Sequence, residues 1–398
     1  MKNKYLWMLP VMSFTASTTA FSQAVADVPA ANKVNKEAAQ FDAQPAKPMF
    51  DKLAKLITDA AKDGGEDVDG AAILKVLGLG DVNSYAYSSE KQGSEFLNLL
   101  YLENAGSKKG IWPLLGGKST KLSVPAMAPD GTDFAMQLRV NLKTLEALMN
   151  ELMVTAKADE DEIGDFKDSM AEMVPGTDMT VSDLLGNINL RLNIALDLDK
   201  NEKLDSPMGQ IDKPRMVIRI DNIKWIWPTI EKQIADAELP LNKVEKDGVI
   251  TYTLPNQMAD GMMGYLPMIS MDTNKDQLWI SSSQEFLTKC QSGENTLAKS
   301  MAFQAAMKGL PKDGSSFTYM SKDMADLIVE KIEEMKEGGM IDESPEMESM
   351  LKQLKGVQLG AVSNFTKDDT GVHFSSRSVQ SFEEMIQEAQ DQFQNAIQ

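Results

Sequence analysis

Apolar positions along this chain switch repeatedly between a helical and an extended period. Phe50, Leu53, Leu56 and Ile57 fall on one helical face, and a second short helix through Ile73 and Leu77 follows the break at Gly64-Gly65. Strands are predicted at Ser84 to Ser88 and Glu95 to Leu102, and again at Val249 to Leu254 and Gln277 to Ser283. Leu145, Met149 and Leu152 then form one amphipathic stripe, and Ile328, Ile332 and Met335 form another. Hairpins are predicted where Leu184-Leu185-Gly186 leads into Asn187 to Asp197, and where Leu354-Lys355-Gly356 leads into Val357 to Phe365. A helix follows each, Trp225 to Ala237 and Ser381 to Ile397, the latter opening with a capping box of Ser381 and Glu384.

These elements recur in the same order, which points to a duplication. Pro129-Asp130-Gly131-Thr132-Asp133-Phe134 matches Lys312-Asp313-Gly314-Ser315-Ser316-Phe317, and the 183-residue offset between Phe134 and Phe317 carries into the next helix. The expected fold is α+β, with two tandem modules, residues 81–238 and 239–398, each an antiparallel sheet with helices packed on one face. A helical lead-in (residues 49–80) precedes them. Residues 25–48, rich in Ala, Lys, Gln and Pro without apolar periodicity, read as a disordered tether.

The run Thr296-Leu297-Ala298-Lys299-Ser300-Met301-Ala302-Phe303-Gln304, then Gly309-Leu310-Pro311 and a strand holding Tyr319, resembles a family of exported bacterial proteins known only as a domain of unknown function. The resemblance spans Gln277 to about Leu327 and implies export and a hairpin, helix, strand order. That family has no established catalytic residues, so no site is implied.

Lys2 and Lys4, then Leu6 to Phe14, then a polar segment ending Ser22-Gln23-Ala24 follow the order of a secretory signal peptide (residues 1–24). The run is broken by Pro10 and is too short to span hydrocarbon, so no membrane span is expected. A periplasmic or secreted address is. The formal net charge of −19, without a basic cluster, excludes nucleic acid as a natural partner. Cys290 is the single cysteine, so this exported chain relies on an apolar core and not on an internal disulfide.

His373 is the single histidine, which removes clustered zinc sites and histidine-based triads; no metal or cofactor is expected. Asp369-Thr370-Gly371 spells the aspartic-protease triplet, with Asp272 or Asp199 as candidate partners, but it also reads as a hairpin turn. Asp197, Asp199, Asn201 and Asp205 approach a calcium loop, with Glu202 where Gly is required. Methionines Met258, Met262, Met263, Met268 and Met271 suggest an adaptable apolar lining, a loosely specified core or, more weakly, a Cu(I) site. Trp225 and Trp227 could join that lining or anchor the core. The sequence thus favours a non-catalytic binding or scaffold protein that accepts an apolar small molecule, peptide or protein partner between modules. An aspartic-type protease is the alternative, and no oligomeric state is implied.

Overall fold

The side-chain alternation expected of strands continues across one very wide sheet. The computed structural model describes residues 29–104, 109–116, 118–206, 209–255, 267–341 and 344–388. The chain enters through a 3-10 turn (Pro29–Lys33), β1 (Gln40–Pro45), α1 (Lys47–Asp63), α2 (Gly70–Val76) and the hairpin β2 (Val82–Gln92) with β3 (Glu95–Asn104). It continues through β4 (Thr120–Lys121), α3 (Val124–Met127), β5 (Phe134–Asn141), α4 (Leu145–Thr155), α5 (Glu160–Ala171) and α6 (Val181–Asn187). The long ribbon of β6 (Asn189–Ser206) and β7 (Gly209–Asp221) leads to α7 (Trp227–Asp236).

Next come β8 (Asn242–Lys246), β9 (Val249–Thr253), β10 (Met268–Asp272), β11 (Gln277–Ser281), α8 (Gln284–Ser292), a 3-10 turn (Leu297–Lys299) and α9 (Met301–Ala306). The chain closes with β12 (Asp313–Gly314), β13 (Ser316–Met320), α10 (Lys322–Glu337), α11 (Pro345–Gly356), β14 (Ala361–Lys367) and β15 (Gly371–Ser378). A last helix, α12, occupies residues 382–388. The capping box is formed: Glu384 accepts from Ser381 N at 2.8 Å, and Ser381 Oγ from Glu384 N at 3.2 Å.

The fold is mixed α+β, but the two expected modules do not have separate sheets. Apart from the small β4–β12 pair, the named strands join a single 13-stranded sheet in the order β1-β2-β3-β15-β14-β13-β5-β6-β7-β11-β10-β9-β8, with every pairing antiparallel. From the central pair outward, β13-β14-β15 on one side answer β5-β6-β7 on the other. The β2–β3 hairpin then docks on β15, as β10–β11 docks on β7. Strands from either side of residue 238 therefore alternate across the sheet. The physical reason is edge closure: β15 and β7 would otherwise present unpaired backbone groups. The outer edge strand β8 is short, fully exposed and lysine-bearing, a poor template for further pairing.

A second departure lies before α1. The expected tether is structured from Pro29 onward: β1 pairs with β2, and Ala30, Ala31, Ala43 and Ala46 are buried. Ala30, Ala31 and Ala43 let the segment lie close against Ala86 and Tyr101, a contact that needs no apolar periodicity.

One face of the sheet carries the main core. Ala135, Ala195, Val217, Trp279, Phe317 and Tyr319 pack under α3, α8 and α9. Beside this apolar row runs a polar one, in which Gln137, Asn193 and Asn364 are buried. Gln137 Oε1 accepts from Ser123 N at 2.7 Å, and Asn364 Nδ2 donates to the Pro311 and Asp313 carbonyls at 2.9 and 3.0 Å. These amides satisfy backbone that crosses the sheet outside its own ladders. The opposite face is apolar and unevenly covered, by α1 and α12 at one end and by α7 at the other.

Candidate functional site

On that opposite face, successive ladder pairings align one row from end to end. Tyr87, Leu100, Phe374, Phe365, Ser316 and Leu138 continue through Leu192, Ile220, Leu278, Met271 and Ile250. At the β10 end, Trp227, Ile230 and Ile234 of α7 pack onto this row. At the β2 end the cover is looser, and a cavity of ≈ 490 Å³ remains between the sheet, α1 and α12.

The cavity walls include Tyr87, Leu100, Phe365 and Phe374 from the sheet, with Phe382 and Ile386 from α12. Tyr87 and Phe382 rings meet at 5.3 Å, and Phe365 and Phe374 at 4.8 Å. Phe374 is 40 % exposed, so an aromatic ring faces the open side. A few polar groups, among them Ser363, Ser376 and Asn98, border one margin. Burial pushes the hydroxyls of Tyr85 and Tyr87 up to about 12, which keeps both neutral. The size and lining are those of a site for one apolar small molecule. No family model, curated protein or solved structure matches the chain.

The residues singled out from sequence lie elsewhere. Trp227 and Met271 are core residues of the α7 cluster, and Trp225 is half-buried outside it. Met268 belongs to the core on the other face. Met268 and Met271, three residues apart on one strand, therefore point to opposite faces and cannot share a Cu(I) ion. Met258, Met262 and Met263 lie outside the described residues.

The three candidate protease carboxylates are not brought together. Asp369 lies in the β14–β15 turn, Asp199 on β6 and Asp272 on β10; any two are at least three strand spacings apart, ~14 Å. A dyad sharing one proton needs contact. Each carboxylate has its own partner: Asp369 binds Lys118 at 2.9 Å while 83 % exposed, Asp199 binds Arg215 at 2.8 Å, and Asp272 accepts from Asn274 N at 3.1 Å. Of the calcium-loop pattern, Asp197 and Asp199 are both taken up by Arg215, Asn201 donates to Asp199, and Asp205 accepts from Gln210.

The Asp-Thr-Gly triplet is turn chemistry. Asp368 Oδ1 accepts from Thr370 N, Thr370 Oγ1 and Gly371 N at 2.7 to 2.8 Å. A Cβ on Gly371 would stand 2.2 Å from the Leu102 carbonyl oxygen, so glycine is required by the approach of β3. Burial alone would raise the Asp368 carboxyl, but these bonds and nearby Lys33 outweigh it and hold it well below the usual range. His373, 3.5 Å away, is pushed down by burial against the opposing pull of Asp368. Because the folded carboxyl titrates below the unfolded one, its contribution is present above about pH 4 and is lost as pH falls. Asp368→Asn is expected to cost ~1–3 kcal/mol at pH 7, with the difference from wild type shrinking below pH 4 in urea titrations.

Proposed function

We propose that this is an exported, non-catalytic binding protein that holds an apolar small molecule in the cavity between the sheet and α12. One observation carries the reading: an open-sided, aromatic-walled cavity of ≈ 490 Å³ at a place whose counterpart under α7 is filled by Trp227, Ile230 and Ile234. We read the mirrored strand order, with the repeated sequence, as an internal duplication whose halves have exchanged hairpins. The cavity then spans the seam where β3 of the first half meets β15 of the second. One half has kept a tightly covered face, and the other has opened it for a ligand. The signal-like start fits export, although it lies outside the described residues.

Native mass spectrometry of the protein purified from its own host is expected to show a co-purified apolar molecule. Saturable binding of the neutral fluorophore N-phenyl-1-naphthylamine should weaken at least tenfold in Ser376→Trp, which places bulk at the cavity margin, with little change in melting temperature. Absence of both a bound molecule and saturable fluorophore binding would falsify the reading.

A further inference from the structure

The face opposite the apolar cavity carries an unbalanced cluster of positive charge. Of the five arginines in the chain, four stand on the adjacent strands β5, β6 and β7; Arg215 is neutralised by Asp197 and Asp199, which leaves Arg139, Arg191 and Arg219 clustered further along the ladder. Arg139 and Arg191 are direct ladder partners, and Arg191 is paired in turn with Asp221. Arg219 pairs with Asn193, one step along the same face, and so stands diagonal to Arg191. Directly opposed residues have Cβ atoms ~5 Å apart, a spacing at which like charges repel.

Compensation is incomplete. Asp221 lies 3.3 Å from Arg219 Nη2 and 3.0 Å from its Nε, the latter contact too far off line to be a hydrogen bond. Arg191 Nη2 donates to Thr120 Oγ1 at 3.3 Å, and Arg139 Nη1 to the Lys118 carbonyl at 3.0 Å. Among the described residues neither of these two makes an ion pair. Three guanidiniums thus face one carboxylate in a chain whose overall charge is −19. The buried Nε atoms of Arg191 and Arg219 both lack a hydrogen-bond partner, a costly arrangement. Burial, and then the charge of Arg191, push the Arg139 guanidinium down.

Arg219 also borders a cleft of ≈ 550 Å³ between the sheet, α3 and α8. Its ring neighbour is Trp279, with the guanidinium carbon 5.5 Å from the ring centroid. Around them the cleft presents hydroxyls and amides, Thr251, Ser270, Gln277, Gln284 and Gln291, and one carboxylate, Asp272, which is offset by Lys275 at 3.2 Å. We propose that Arg139, Arg191 and Arg219 bind the oxyanion of a hydroxyl-rich small molecule, a sugar phosphate or sugar acid, whose remaining hydroxyls are held by this cleft. Guanidiniums favour planar, bidentate recognition of carboxylate and phosphate, and the amides and hydroxyls supply both donors and acceptors.

Calorimetric titration of the full chain at low ionic strength, with glucose 6-phosphate, glucuronate, inorganic phosphate and glucose, tests the site. At least one anionic sugar should bind, more tightly than inorganic phosphate, and glucose should not; which of the two wins identifies the oxyanion. Affinity should fall as salt is added. Arg191→Gln should weaken binding at least tenfold while leaving the ligand-free melting temperature unchanged or higher, because a like-charge contact is relieved; Arg139→Gln should behave in the same way. The proposal is overturned if neither anionic sugar binds, if inorganic phosphate binds as tightly as the sugars, if both variants keep wild-type affinity, or if both lower the ligand-free melting temperature.

Discussion

Arg377→Ala is expected to remove ~3–5 kcal/mol of stability, among the largest losses available from one side chain outside the apolar core. Arg377 on β15 is 2 % exposed and Glu95, opening β3, is 3 % exposed. Their charged groups lie 3.7 Å apart, a spacing that alone would not repay the cost of burying them. The rest comes from charge-assisted hydrogen bonds to backbone. Arg377 Nε donates to the Ala306 carbonyl at 2.8 Å and Nη2 to the Lys308 carbonyl at 2.9 Å, which ties the end of α9 to the sheet. Glu95 Oε1 accepts from Gln358 N at 2.8 Å and from Leu359 N at 3.2 Å, which fixes the connection from α11 to β14. Removing the arginine leaves two carbonyls without their donor and the buried carboxylate without its countercharge. Denaturant midpoints should show the loss at unchanged slope, and the double variant Glu95→Gln with Arg377→Met should be less destabilised than the sum of the two single ones. Strict additivity would mean that the pair does not act as a unit.

This hub joins Glu95 to a residue far along the chain, and nothing local in the sequence announces it. The same holds for both candidate sites. The cavity walls are drawn from β2 and β3, from β14 and β15, and from α12, while the three arginines become neighbours only through the β5–β6–β7 ladder. Local signals were legible where local physics decides: the capping box at Ser381, the turn at Asp368 to Gly371, and the helical stripes. Phe50 and Ile57 are buried as the α1 stripe predicts, although Leu56 is 44 % exposed. The segment before α1 reads as a tether in sequence because β1 is stabilised by pairing and by small buried alanines, and neither leaves an apolar period. Trp227 and Met271 drew attention as large apolar residues, yet they are common core residues for that very reason.

If the chain is a duplication, as proposed, the sheet requires a register other than the one its sequence suggests. An offset of 183 sets Phe134 on Phe317, and the ladder refuses this equivalence. A two-fold relation between β5 and β13 keeps each residue on its face of the sheet, so the offset must be even; an odd one moves every side chain to the other face. Phe317 shares its face with Ala135 and Gln137, whereas Phe134 looks the opposite way. The β5–β13 ladder is centred on the Met136 and Thr318 pair, which corresponds to an offset of 182. Phe317→Ala is therefore expected to cost ~3–5 kcal/mol, since the side chain is 0 % exposed and its ring meets Phe303 edge-on at 6.0 Å beneath α9. Phe134→Ala, at a half-buried position on the apolar face, should cost only ~1–2 kcal/mol. Urea unfolding of the two variants side by side measures the contrast, and equal losses would mean that the two phenylalanines occupy equivalent places after all.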